Sequence, residues 1–215
     1  MSMIVALSAV AGFVDAACFL ALSQVFTAHV TGNFAALASA IVNPDETTGL
    51  RITVITAFGV GAACAVFAAR AARADAGGAP ARVHRVVIRV ELAWLALLLA
   101  SHFVLRDGFW ARYAIALCAG AAMGCQTALS KLPGKSALGT PTTVMTSNFA
   151  AWIVALVEYD KDDRALLQLS LQLMLFVLGA AAGAVSEHRF GIVVVAAPFA
   201  LLLAPAFAPL RNGAR

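Results

Sequence analysis

Of the 215 residues, 62% are apolar and 12% charged, and the mean hydropathy is +0.89. Soluble domains run at about 45–50% apolar and about 25% charged, so an ordinary cytosolic enzyme is excluded. The composition also excludes disorder, a collagen repeat and a disulfide scaffold, with 16 Gly and only four Cys in the chain. What remains is an all-α polytopic membrane protein, one membrane domain over 1–215 with the lipid bilayer as its main partner. The net charge of +4 rests on 15 Lys+Arg, mostly in short loops. It therefore speaks to membrane orientation and to no nucleic-acid partner.

In chain order, Met1-Ser2-Met3 carry no basic region and lead into an apolar stretch that runs past ~20 residues. This reads as a first membrane helix and not as a cleaved signal peptide. Six long apolar segments follow one another: 3–23, 52–69, 86–104, 110–129, 165–185 and 190–208. Each is expected to be a transmembrane helix. Two shorter ones, 33–42 and 148–157, have ten residues each. At 1.5 Å per residue they reach about 15 Å, half of a ~30 Å hydrocarbon core, so both are half-helices by length. Each follows a stretch with strand propensity, V-F-T-A-H-V-T over 25–31 and P-T-T-V-M-T over 141–146.

The two broken places resemble each other. From Thr27 the chain reads T-A-H-V-T-G-N-F-A-A, and from Thr142 it reads T-T-V-M-T-S-N-F-A-A. Thr27/Thr142, Thr31/Thr146, Asn33/Asn148 and Phe34/Phe149 match, and two alanines match as well. The order long helix, break, half-helix, two long helices also recurs, which predicts a duplication with repeat one over about 3–105 and repeat two over about 110–209. If each half-helix is re-entrant, each repeat crosses three times and the second is inverted. With the N-terminus inside, Arg51, Arg106, Arg112 and Arg189 are then the only basic residues left outside, four of 15. Full crossings at both breaks split the 15 almost evenly. The positive-inside bias favours six spans, two re-entrant strand/half-helix segments, inverted repeats and cytoplasmic termini.

Irregular backbone at membrane depth must line protein or a water-filled cavity, and paired broken helices are a common way to build a transporter's midplane site. The Thr-Gly-Asn and Thr-Ser-Asn triplets stand at the half-helix N-termini, where free N–H groups attract an anion. Thr31, Gly32, Asn33, Thr146, Ser147 and Asn148 are therefore the candidate substrate-binding residues. Asp15 reads as the only carboxylate deep in an apolar span, and such a group is a functional candidate by default. Gln126 holds the corresponding place in the second half and joins the substrate-binding set. His29, in the first break, titrates near neutrality and pairs with Asp15 as a proton-coupling candidate.

Cys18, Cys64, Cys118 and Cys125 lie in apolar stretches without a CxxC pair, so they read as packing residues, and no metal or other cofactor is expected. Gly120/Gly124 and Gly179/Gly183 form GxxxG patterns, read first as close packing within one subunit and second as a dimer face. No HExxH, GxSxG or phosphate-binding loop is present, so the chain is not read as an enzyme. The charged run 158–164 reads as a solvated cytoplasmic connector.

Gly12-Phe13-Val14-Asp15, Phe26-x-Ala28-His29-Val30-Thr31-Gly32-Asn33, Gly124-x-Gln126-x-Ala128 and Thr142-Thr143-Val144-Met145-Thr146-x-Asn148 resemble the YoaK-like family of small bacterial membrane proteins, a domain of unknown function. The resemblance implies a bacterial inner-membrane location and supplies no substrate. Ser147 departs from it, standing where a Gly would complete a second Thr-Gly-Asn. The strand-then-half-helix passages are more distantly similar to the core domain of the sulfate-permease and uracil-permease superfamily. The expectation is a secondary transporter or channel for a small, anion-like solute, assembled as a homodimer. Its alternative is a membrane-embedded structural or interaction protein.

Overall fold

The computed structural model describes residues 3–74, 79–106, 108–133, 141–157 and 163–207. Eight helices are described: α1 (Met3–Ala21), α2 (Val30–Ser39), α3 (Thr48–Ala74), α4 (Pro80–Leu105), α5 (Phe109–Leu129), α6 (Met145–Val157), α7 (Asp163–Phe190) and α8 (Ala196–Phe207). A short 3-10 turn, Ile192–Val195, leads into α8. All six long apolar segments are helical. Four helical stretches are long and apolar enough to cross a membrane: α1, α3, α4 and Arg164–Phe190 within α7. That is fewer than the six spans expected. The chain's last apolar segment is divided between the 3-10 turn and a 12-residue helix with Pro205 inside it.

The expected strands are not formed. Among the described residues no strand occurs, and the stretches ahead of the two short helices are turns and bends. The half-helices also start earlier than the capping reading placed them, at Val30 and at Met145. Asn33 and Asn148 therefore lie within the first turns of their helices and do not stand in front of them. The reason is local: each Asn side chain turns back to the preceding break, as described below, and leaves the helix free to begin three residues sooner.

Packing follows the glycines. A methyl on Gly179 would run into the Ala9 carbonyl, and one on Gly183 into the Phe13 carbonyl. The contact advances four residues on both helices, so α1 and α7 run parallel at backbone distance. Gly120 beside Val54 and Gly124 against the Phe58 carbonyl do the same for α5 and α3. Both GxxxG patterns are thus covered within one chain, as their first reading expected.

The helix ends sort clearly. Arg112, at the start of α5, donates from Nη2 to Ser23 Oγ just past α1 at 2.8 Å. Gln126, near the end of α5, reaches Leu7 in the first half of α1. These two helices therefore run antiparallel. Gly49, at the start of α3, abuts the Tyr113 hydroxyl near the start of α5. The chain thus leaves α1 and re-enters α3 at one end of the bundle. At the other end Arg73, late in α3, reaches Pro133 just beyond α5. Of the 21 residues of α5, 14 are buried, which makes it the central helix. Much of α7 faces outward, with Leu167, Met174, Val177 and Leu178 exposed.

Candidate functional site

The first break starts with two consecutive left-handed residues, Ser23 (φ 57°) and Gln24 (φ 68°). Non-glycine residues avoid this region, and two in succession turn the chain sharply back along the helix it has just left. Thr27 and Ala28 are carried by that turn to the side of Asp15. Asp15 Oδ1 accepts from the Thr27 amide at 2.6 Å, the Ala28 amide at 2.7 Å and the Thr27 hydroxyl at 3.2 Å. Asp15 Oδ2 meets His29 Nδ1 at 2.5 Å. The carboxyl group is buried and held between a pair of backbone donors.

Asn33 closes the turn from the other side. Its Oδ1 accepts from the Phe26 amide at 3.1 Å, and its Nδ2 donates to the Phe26 carbonyl at 2.6 Å. The side chain clamps one peptide unit seven residues back, and it is fully buried in doing so.

A cleft of about 400 Å³ opens beside this arrangement, lined by Gly12, Asp15, Ala16, Phe19, Phe26, His29, Thr31, Gly32, Phe176 and Ala180. Its walls are α1, the break, the first turn of α2 and the middle of α7. The His29 ring packs edge-on against Phe26 and Phe176, with centroids 5.7 and 5.5 Å apart. Gly12 is required here because a side chain would enter the Phe176 carbonyl. With Nδ1 committed to Asp15, Nε2 is the polar atom His29 has left for the cleft, and among the described residues nothing bonds it. An Asp-oriented imidazole of this kind presents a lone pair when neutral and an N–H when protonated.

The second break repeats the clamp and changes the anchor. Asn148 Nδ2 donates to the Pro141 carbonyl at 2.7 Å, again seven residues back. Gln126 Nε2 donates to Thr142 Oγ1 at 2.9 Å and to the Leu7 carbonyl at 2.7 Å. Thr127 and Thr143 join their hydroxyls at 2.7 Å. Thr146 and Ser147 are exposed, and Ser147 Oγ donates to the Val144 carbonyl at 3.0 Å. Of the sequence-predicted site residues, Asp15, His29, Thr31 and Gly32 come together in the cleft, and Asn33 lies directly behind it. Gln126, Thr146, Ser147 and Asn148 gather at the second break and do not line that cleft.

A family model described as "Protein of unknown function (DUF1275)" matches residues 3–208. The chain belongs to this family. No curated protein and no solved structure matches it. The DUF1275 match covers both breaks and all of the described helices.

Sequence reasoning missed several participants. Thr27 and Thr142 were visible as repeat identities without a role, and the structure makes both of them partners of the residue that anchors their break. Phe176 carried no signal beyond its place in an apolar helix. Glu91 corrects the expectation that Asp15 is alone: it is a carboxylate within α4, fully buried. Its signal was its place in the apolar spacing of Val87, Ile88, Leu92 and Leu95. The charged run 158–162 lies outside the described residues, as do residues 134–140 between α5 and α6. All four cysteines are free.

Proposed function

We propose that this DUF1275 chain is a secondary transporter or channel of the bacterial inner membrane for a small solute, with an anion favoured. The observation that carries the reading is the Asp15–His29 pair on a break in the helical wall, where both residues line a cleft of about 400 Å³. The first-turn amides of α2 ahead of Gly32 have no partner earlier in their helix, and with protonated His29 they offer donors and positive charge to an anion. Thr31 and Gly32 flank it there. Gln126, Thr146, Ser147 and Asn148 form the corresponding half-site at the second break.

The proposed membrane layout has six crossings, two re-entrant hairpins and cytoplasmic termini, in inverted repeats. Antiparallel α1 and α5 support inversion, since a parallel duplication would align the first helices of both repeats. The shared end of α1 and α3 supports a re-entrant first hairpin. At about 31 Å for α5 and about 26 Å for Ile192–Phe207, both are within reach of the hydrocarbon thickness. A homodimer would use the outer face of α6 and α7, because both GxxxG faces are covered within the chain. The distant permease likeness agrees with half-helices at breaks, though not with strands.

A structural role is the second reading. It is favoured by how many of the polar side chains at the breaks, Asn33, Asn148 and Gln126 among them, are used to hold the backbone. Uptake by proteoliposomes across a panel of small inorganic and organic anions and nucleobases separates the two. Transport predicts uptake that falls about tenfold in His29→Ala, the loss of one charge-assisted bond of ~1.5 kcal/mol. No uptake of any member by well-folded wild-type protein would favour the structural reading.

A further inference from the structure

The buried residues of α4 are Val83, Val87, Ile88, Glu91, Leu92, Leu95 and Leu98, the three-and-four spacing of a core-facing stripe. Glu91 occupies a leucine's place in it. The side chain is fully buried, and neither Oε1 nor Oε2 has a hydrogen-bond partner. Asp15, the other buried carboxylate, has three donors and a histidine.

The elements packed against α4 are α3, α5, α8 and the 3-10 turn. They bring Glu91 no counter-charge. From α5, the Cys125 thiol lies within electrostatic range of Glu91, and from α3, Cys64 lies within range of Cys125. Cys125 Sγ donates to the Gly61 carbonyl at 3.1 Å. Arg51 is held by Asp45, and Arg112 by Ser23, towards the opposite end of α3 and α5. Arg70 and Arg73 lie towards the α3–α4 connection, and Tyr113 and Cys118 sit earlier on α5. Residues 192–207 contain no titratable group. On α4 itself, Arg89 turns to the Ala206 carbonyl and the Phe207 ring.

A carboxylate ion without a donor or a counter-charge is the costliest state such an interior can hold, whereas the neutral acid fits it. Water cannot come from the α3–α5 side, where Gly61 and Gly124 bring the two backbones into contact. We propose that Glu91 is a proton-binding site: it holds a proton in the arrangement seen here and passes it to water when α4 parts from α3 and α5. The O–H bond breaks, the electron pair stays on the carboxylate, and the proton leaves on the water that enters. Asp15 differs in that its oxygens already have three donors and a histidine as partners. The inference stands apart from the transport reading, although a transporter would gain a coupling site from it.

Infrared difference spectra of the full chain in lipid vesicles, between neutral and alkaline pH, test this directly. Wild type should show the carbonyl stretch of a protonated carboxyl at neutral pH, shifted by isotope-labelled glutamate. Glu91→Gln should lose the band, and Asp15→Asn should keep it. A wild-type spectrum without the band overturns the proposal, as does a band unmoved by labelled glutamate. Labelling needs no substitution, so the test holds even where Glu91→Gln folds poorly. Anion uptake is scored separately: a band without uptake leaves the proton site standing and counts against transport, while uptake without a band does the reverse.

Discussion

The two breaks bend the backbone at matched positions and are held by different chemistry. In the first, a carboxylate gathers two amides, a hydroxyl and an imidazole; in the second, a side-chain amide and three hydroxyls do the work. The Asn clamp is common to both and reaches back seven residues each time. The bend itself therefore requires only the clamp and an anchor from the preceding long helix. Charge at that anchor is an addition of the first half, and it comes with the cleft and with the only histidine at either break. The same clamp holds both breaks, and ionisable chemistry stands at one of them.

The strongest way to break this comparison is to remove both anchors. Asp15→Ala strands the Thr27 and Ala28 amides in a buried site, at ~1–3 kcal/mol each, and frees His29. A loss of about 3–5 kcal/mol is expected in reversible unfolding from detergent micelles. Gln126→Ala strands only the Thr142 hydroxyl, because the Leu7 carbonyl is also an acceptor within its own helix, and should cost about 1–2 kcal/mol. Equal losses would mean that the charge at the first anchor adds nothing to holding the bend.

A finer difference lies in the clamps. Asn33 both donates to and accepts from the Phe26 peptide, while Pro141, in the matching place, has no N–H to give. Asn33→Ala should therefore exceed Asn148→Ala by roughly one hydrogen bond, ~1 kcal/mol, in the same assay. Pro141→Ala restores the missing donor, so Asn148→Ala made in that background should cost more than in wild type. If it costs the same, the second clamp has only one arm for some reason other than the proline.

Much of this was legible in the sequence, because hydropathy and internal repetition are properties of the chain alone. Five of the six apolar segments became single long helices and the last is divided, and the Thr/Asn identities marked both breaks. What could not be read was direction. Thr and Asn ahead of an apolar run signal a cap, and nothing local says that Asn33 will instead turn back to Phe26 and let the helix start at Val30. Strand propensity in 25–31 failed for the same reason, since among the described residues there is no strand to pair with it, and Asp15 claims the amides first. Glu91 was hidden by its position: near a span's end a carboxylate can reach the interface, and only the packing of α3 and α5 shows that this one does not.

The smallest expected effect tests how the chain enters α3. Asp45 precedes α3 and gathers the Thr47 amide at 2.9 Å, the Thr47 hydroxyl at 2.7 Å and Arg51 Nη1 at 2.8 Å. The Arg51 bond first, and the Thr47 hydroxyl next, hold its carboxyl well below the usual aspartate range. The folded chain thus binds this proton less readily than the unfolded chain does. Its stabilising contribution is fully present above the ordinary range near pH ~4 and is lost as pH falls through and below it. Because Asp45 is exposed, salt screens the pair, and the effect should stay small. The difference in melting temperature between wild type and Asp45→Asn should be constant from neutral to alkaline pH, shrink in acid and narrow with added salt. The Asp15→Ala deficit, in a buried site, should change little with salt. A difference at Asp45 that is indifferent to acid would remove the carboxylate from the account of how the chain returns to α3.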